Sequence, residues 1–509
     1  MTKVVVKRLT AVMLSLIPFA LLFGSRFGFL AAQPFLYGPD AYYYALQIKF
    51  FITDGVLKIP DSSPLLQLMG FTGKVGLSCE QTIILWTILI QLLCGISVFI
   101  ACRLISDKGC AGIISGLLVA WTFISPTLTF TCIEFPKYAF ALIFLPLWPA
   151  ALADKKWWPV SAGAVLLSCI SHLTMIGISF VLLAGLAVFF GVPYLKSTRL
   201  KWPVVAIGTA TFLLFTGFIG GRYLLLADLE RIQLQGLHPS LWTFLSRTEL
   251  PRLIKIEILV SLIVSIILFI WVPKDKNRVQ IRFWMPFVVF LLFIPLGSQE
   301  IMGIPERLCL ALPLIVISSL ASLQFTLPKL LRTSKGLLAL CTLTLAIIYP
   351  KESFQLAHPQ RLNPDYALYD QVTTAIAARD IPMLIAHQGL NYYYKFKTMK
   401  ESFPYEPEPH WPKRRIWRVA YGISPSTWSY YLPERDLWGG DRLFSLPEPY
   451  SLIREDLWEQ FRDKIRNSQD GELRTLIFHS WLNPHQKRPE FARKRAEKDK
   501  DGEFSAYPR

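Results

Sequence analysis

Apolar runs of roughly twenty residues, separated by short charged loops, recur along this chain as far as Pro350. Each is long enough to cross a hydrocarbon core. Little constrains a fold more strongly, because backbone in lipid must satisfy its own hydrogen bonds and such runs must therefore be helices. Composition agrees: 53% of the 509 residues are hydrophobic and 17% charged, against about 25% charged in a soluble domain. The first run, 9–31, follows Lys3, Lys7 and Arg8 but lacks a small-residue cleavage site. It reads as a retained span rather than a cleaved signal peptide. The net charge of +17 marks cytoplasmic loops, not a nucleic-acid partner. The cysteines lie nearly all in or beside the spans, none has metal-ligand spacing, and none follows Cys341. Disulfides and zinc are therefore not expected to hold the C-terminal part together.

Lys and Arg orient the spans. The second (81–105) returns to Arg103 and Lys108, the third (111–130) leads out to a turn at Thr131–Lys137, and the fourth, from Tyr138, comes back to Lys155 and Lys156. The stretch 157–192 is too long for one crossing. Two crossings turning near Ser171-His172 keep Lys155, Lys156, Lys196 and Arg199 on one side. The seventh (203–225) leads to an external loop at 227–255, and the eighth (256–272) ends at Lys274, Lys276 and Arg278. The ninth (283–297) leads out to Ser298–Arg307, the tenth returns to Lys329, and the eleventh exits near Pro350. The expected fold class is a polytopic α-helical membrane protein of about eleven transmembrane helices, with a C-terminal external α/β soluble domain. Its parts are a membrane domain at 1–350 with a first external loop at 32–80, a soluble domain at 351–487, and a disordered, charged tail at 488–509. In the soluble domain, helices are expected at 365–379, 391–399 and 452–465, and strands at 382–387, 415–423 and 474–478. The N-terminus is expected in the cytoplasm of an inner membrane and the C-terminal domain outside or in a periplasm.

This topology gathers polar groups at the external face. Gly38-Pro39-Asp40 opens a short helix with Asp40 as N-cap; Ala41, Ala45, Ile48 and Ile52 recur at helical spacing, and Gly55 stops it. It is expected to lie flat at the membrane surface as an amphipathic element. Asp54 and Asp61 share this loop, Glu134 and Lys137 occupy the second external turn, His172 the third, and Glu306 and Arg307 the fifth. Singly each has an ordinary explanation: a cap, an i,i+3 pair, a turn histidine, an arginine reaching lipid phosphates. Together, carboxylates beside cations at a bilayer edge suit transfer from a lipid-anchored phosphate, with a base taking the acceptor's proton and cations stabilising the departing phosphate.

Asp40-Ala41-Tyr42-Tyr43-Tyr44, Ser171-His172-Leu173-Thr174 in a broken span and Pro305-Glu306-Arg307-Leu308 opening a late span resemble the GT-C superfamily of membrane glycosyltransferases, which includes oligosaccharyltransferase catalytic subunits and protein O-mannosyltransferases. The resemblance covers most of the first 350 residues and the general plan of spans followed by an external domain. It implies a polyprenyl phosphate or diphosphate sugar donor, a protein, lipid or glycan acceptor, inversion at the sugar, Asp40 as base with Glu134 as second acid, and Arg307 at the donor phosphate. Tyr43, Tyr44, Lys137, His172 and Glu306 are the further expected substrate contacts. Glu134 stands alone where oligosaccharyltransferases carry an Asp-x-Asp or Glu-x-Asp pair, and no Trp-Trp-Asp follows in the C-terminal part. A divalent cation is thus left open, with no metal ligand assigned. The competing reading is a transporter or lipid flippase with a soluble cap, disfavoured because ionisable residues gather at one face rather than at mid-membrane; a scaffold whose working part is the soluble domain is a third. If the enzyme reading holds, Asp40 is expected within about two side-chain lengths of Glu134 and Arg307.

Overall fold

The computed structural model describes residues 23–105 except 39 and 60–62, then 111–172, 174–182, 232–234, 240–246, 250–271, 283–293, 296–298, 304–321, 365–404, 410–423, 425–432 and 442–466. The chain divides into two compact units. The first comprises Met1–Leu36, Asp54–Ser298 and Met302–Pro359, the second Tyr37–Thr53, Gln299–Ile301 and Gln360–Arg509. Most of the first expected span, the seventh, the eleventh, Asp61, the 474–478 strand and the charged tail lie outside the described residues.

Helices Cys79–Ile105 and Arg252–Trp271, where the second and eighth spans are expected, are long and apolar enough to cross a bilayer. Over the described residues of the third and fourth expected spans the first unit departs from continuous helix, and proline is the reason. The third expected span stops at Ile124 because Pro126 follows; a separate helix, Pro126–Glu134, then runs to Pro136. Proline lacks the N–H that would extend a helix, and its ring clashes with the carbonyl four residues earlier. The fourth becomes helix Pro136–Leu142, a 3-10 turn at Leu145–Leu147 and helix Ala150–Ala153, broken at Pro146 and Pro149. Side chains satisfy what these breaks expose: the Ser168 hydroxyl donates to the Ala141 carbonyl at 3.1 Å, the Ser161 hydroxyl to the Trp148 carbonyl, and the Trp148 indole to Ser168 Oγ at 3.1 Å. Gly95 lets Cys79–Ile105 approach Ala111–Ile124 closely, since a Cβ there would come within 2.9 Å of the Phe123 ring. Downstream, the ninth expected span is helix Met285–Phe293, followed by strand β2 (Leu296–Ser298), which pairs antiparallel with β1 (Ile232–Leu234). The tenth opens with helices Ile304–Leu310 and Leu312–Ala321.

The second unit holds a five-stranded mixed sheet of β3 (Met383–Ile385), β4 (Ser402–Phe403), β5 (Ile416–Tyr421), β6 (Leu443–Ser445) and β7 (Tyr450–Arg454), in the order β4-β3-β5-β7-β6. β3 runs parallel to β4 and β5, with helix Gln388–Thr398 as the β3–β4 crossover, and β7 runs antiparallel to β5 and β6. Helix Tyr366–Ala377 and strands β3 and β5 fall where the hydrophobic pattern puts them. The expected 452–465 helix begins later, at Glu455, because Leu452 and Ile453 belong to β7, opposite Val419 and Arg418. From Glu455 the helix packs Leu457, Trp458, Phe461 and Ile465 against Ala420, Trp428 and Ile453 in one core.

The Tyr-rich helix Ala41–Asp54 belongs to this second unit. Gly55, at φ +77°, ends it as expected, since an L side chain is strained there. The helix is not amphipathic: Tyr42, Leu46 and Phe50 are buried as well as Ala41, Ala45 and Ile48. The physical reason is aromatic packing. The Tyr42 ring lies 4.6 Å from those of both Tyr366 and Tyr393 and 5.3 Å from Phe396, while Lys49 Nζ donates to the Phe396 carbonyl at 2.6 Å.

Candidate functional site

In the first unit, helix ends from three broken stretches converge. Phe135, at φ −134° and ψ 59°, is the hinge between Pro126–Glu134 and Pro136–Leu142; its N–H donates to the Thr131 carbonyl and its carbonyl accepts from Ala139, both at 2.9 Å. Glu134 is therefore the last residue of one helix and Lys137 lies in the first turn of the next. Glu134 is buried and Lys137 half-buried. Helix Ile304–Leu310 packs on Pro126–Glu134, and its Arg307 lays the guanidinium 4.5 Å from the centroid of the Phe135 ring. Such a cation–π contact holds a planar cation without neutralising it.

Helix Trp158–Ser171 supplies the third end. His172 is extended, at φ −158° and ψ 134°, and helix resumes at 174. Its Nδ1 accepts the Thr174 N–H at 3.1 Å, which leaves the ring proton on Nε2 as a donor. The ring lies 5.2 Å from that of Tyr138, and the charges of Arg307 and Lys137 both act on it. Arg307 also acts on the buried Tyr138 hydroxyl. Two cations, a neutral imidazole N–H and a phenol thus share one locus, with the buried Glu134 three residues before Lys137. Such a locus can hold an anionic group.

Among the expected residues, the structure brings Lys137, His172 and Arg307 together in the first unit and places Glu134 beside Lys137 across the Phe135 hinge. The Glu306 side chain lies outside the described residues. Asp40, Tyr43 and Tyr44 belong to the second unit. Asp40 is half-buried and precedes a helix whose first turn is closed by the Tyr44 N–H on the Asp40 carbonyl at 3.1 Å. The Tyr43 ring lies 5.1 Å from that of Tyr392, its hydroxyl accepts from Gln47 Nε2 at 3.2 Å, and Tyr44 packs beside it in the core. Asp54 is an exposed partner of Lys58, 2.8 Å away. Sequence reasoning passed over Phe135, Tyr138, Arg26 and Glu257. Arg26 and Glu257 carried a readable signal, an ionisable residue inside an apolar run; the aromatic pair carried none.

No protein-family profile and no curated relative matches the sequence. Solved structures do. ArnT from Cupriavidus metallidurans bound to undecaprenyl phosphate matches with a TM-score of 0.54 at 11% identity, over 87% of this chain and 98% of that one. The apo state of the same protein matches with a TM-score of 0.54 at 10% identity, over 89% and 99%. A looser likeness, with a TM-score of 0.45 at 12% identity over 85% and 68%, is to the oligosaccharyltransferase AglB from Archaeoglobus fulgidus in complex with an inhibitory peptide and a dolichol-phosphate. The resemblance read from three short motifs therefore agrees with the architecture: this chain shares the fold of ArnT.

Proposed function

We propose that the chain is a membrane glycosyltransferase that moves a sugar from a polyprenyl phosphate or diphosphate to a protein, lipid or glycan acceptor outside the membrane, with inversion. The observation that carries this reading is the convergence of Lys137, His172 and Arg307 at discontinuous helix ends. The near-full-length likeness to an enzyme captured with undecaprenyl phosphate supports it. In the reaction the bond between the sugar's anomeric carbon and the phosphate oxygen breaks, and its electron pair stays on the phosphate. An acceptor oxygen or nitrogen bonds to the same carbon from the opposite face, and its proton goes to a base. Arg307 and Lys137 offset the charge that develops on the phosphate, and the His172 Nε2–H donates to it. Fixed charges in a site partly shielded from water are worth more than the same charges in solvent.

Asp40 is assigned the base and Glu134 the second acid. Of the tyrosines, half-buried Tyr43 keeps a surface that a substrate can touch, and Glu306 is retained as a donor contact. The Lys and Arg bias between spans favours a cytoplasmic N-terminus and an external C-terminal domain.

The test uses the purified chain with lipid-linked sugars, and with the acceptor-containing protein, lipid and glycan fractions, extracted from the membranes that contain it. Release of polyprenyl phosphate or diphosphate, with a product of inverted anomeric configuration, is the expected result. Arg307→Ala is expected to lower transfer by about 10²-fold, the cost of removing one charge-stabilising donor. Arg307→Lys should fall between, because it keeps the charge and loses the planar contact with Phe135. No release by the unaltered protein, or an Arg307→Ala rate equal to it, overturns the reading.

A further inference from the structure

The break between helices Ala111–Ile124 and Pro126–Glu134 falls inside an apolar region, where an unpaired backbone group is costly. Side chains take up two of the three carbonyls and both of the N–H groups freed there. Pro126 has no N–H to give the Thr122 carbonyl, and the turn at Ser125 withdraws the Thr127 N–H from Phe123 and the Leu128 N–H from Ile124. On the carbonyl side, Gln91 Nε2 donates to the Thr122 carbonyl at 2.8 Å and Arg26 Nη2 donates to the Phe123 carbonyl. Arg26 Nη1 also donates to Gln91 Oε1, and both residues are buried. On the N–H side, Glu257 Oε2 accepts the Thr127 N–H at 2.8 Å and the Ser125 hydroxyl at 3.0 Å, while Oε1 accepts the Trp121 indole N–H at 2.9 Å. The Leu128 N–H goes to Ser125 Oγ at 3.0 Å. A cation sits at the carbonyl end of one helix and an anion at the N–H end of the next, the signs that the two helix dipoles favour.

We infer that Glu257 is a positioning residue: by clamping the first N–H of helix Pro126–Glu134 it fixes the direction in which that helix presents Glu134 at its far end. This rests on the role given to Glu134 above. The lever is long enough to matter. Thr127 and Glu134 are seven residues, or about 10 Å, apart along the axis, so a pivot of about 10° at Ser125 moves Glu134 by about 2 Å. Misplacement of about 1 Å can cost 10²-fold in rate. Glu257 itself lies one helix-length from Glu134 and need touch no substrate.

Glu257→Gln tests this, because it preserves shape but keeps a single acceptor oxygen, so that the amide NH2 must face either the Thr127 N–H or the Trp121 indole N–H and the two-armed grip on the break is lost. With the extracted lipid-linked sugars as donor, kcat per folded protein is expected to fall by about 10- to 100-fold while KM stays within about twofold. Glu257→Asp, which restores the carboxylate on a shorter stem, should recover part of the loss. Glu134→Gln and the Glu257→Gln/Glu134→Gln double variant complete a cycle: if Glu257 acts through Glu134, the double variant is no slower than Glu134→Gln alone. A purely architectural Glu257 would lower the folded fraction and leave kcat per folded molecule unchanged, and that result overturns the inference. So does a double variant slowed by the full product of the two single effects. Should Glu257→Gln fail to fold, Glu257→Asp decides alone: a kcat several-fold below that of the unaltered protein is expected, and an unaltered kcat overturns. A wild-type rate from Glu134→Gln removes the assigned role of Glu134 instead, which separates failure of that reading from failure of this one.

Discussion

Asp40→Asn is expected to slow sugar transfer by about 10²- to 10⁴-fold, the range spanned by loss of a general base. The substitution separates two roles that one carboxylate can play at a helix start. Asn is about as good an N-cap as Asp, and the first turn here is also closed by the backbone bond from Tyr44 to Asp40. A cap would therefore survive the change, and folding with it. An amide cannot take a proton from an acceptor at neutral pH, so a base would not survive. Transfer from the extracted lipid-linked sugars, measured beside the thermal midpoint of the same sample, distinguishes the two. An unchanged midpoint with a collapsed rate identifies the base. Transfer at the unaltered rate would return Asp40 to the status of a cap. Asp40→Glu, which keeps the carboxylate but lengthens its reach by a methylene, should fall between.

The second large effect concerns the stability of the second unit. Arg418 in β5 and Glu455 at the start of the last described helix form a fork-to-fork pair, Nε to Oε2 at 2.8 Å and Nη2 to Oε1 at 2.6 Å. Their side chains are 2% and 0% exposed. The guanidinium also lies 5.0 Å from the Trp458 ring. Removing one partner leaves a buried charge uncompensated, so Glu455→Ala is expected to destabilise this unit by about 3–5 kcal/mol. That is a large share of the ~5–15 kcal/mol that holds a domain folded. Replacing both residues with leucine removes the desolvation cost along with the attraction, and the double variant is expected to recover most of the loss. Protease susceptibility within residues 360–466 of the full chain, followed against temperature, reports on this unit. Equal loss from the single and double variants would show that the pair itself is not what the structure depends on.

Span length, proline and charge are local quantities, and where they governed the outcome the sequence was readable. The run of residues that became helix Cys79–Ile105 had one reading, as did the single long apolar run of Arg252–Trp271. The break at His172 and the stop at Gly55 were visible as well. So were helix Tyr366–Ala377 and strands β3 and β5 of the second unit, since a three-residue apolar strand between two patterned helices leaves few alternatives, whereas the short β4 and β6 were not. Pro126, Pro146 and Pro149 were equally visible, yet their consequence was not drawn, because hydropathy averaged over a span hides a proline that a neighbouring side chain can accommodate. The extent of β7 was missed for a different reason. Leu452 and Ile453 suit helix or strand equally, and only pairing with β5 decides between them.

What the sequence by itself determined is a chain of apolar helices followed by a small α/β unit, with a set of ionisable residues at the ends of the apolar runs. Tertiary structure alone decided which of these meet. Lys137, His172 and Arg307 stand far apart along the chain, and no local energy favours their meeting; the packing of three interrupted helices brings them to one place. The Tyr-rich helix shows the same limit from the other side. Its spacing suited a membrane surface, but Tyr42 fits between Tyr366, Tyr393 and Phe396, more than three hundred residues later, and that burial gives the helix to the second unit. Periodicity says that a face will be covered. Which partner covers it is settled by shape and area that come from elsewhere in the chain.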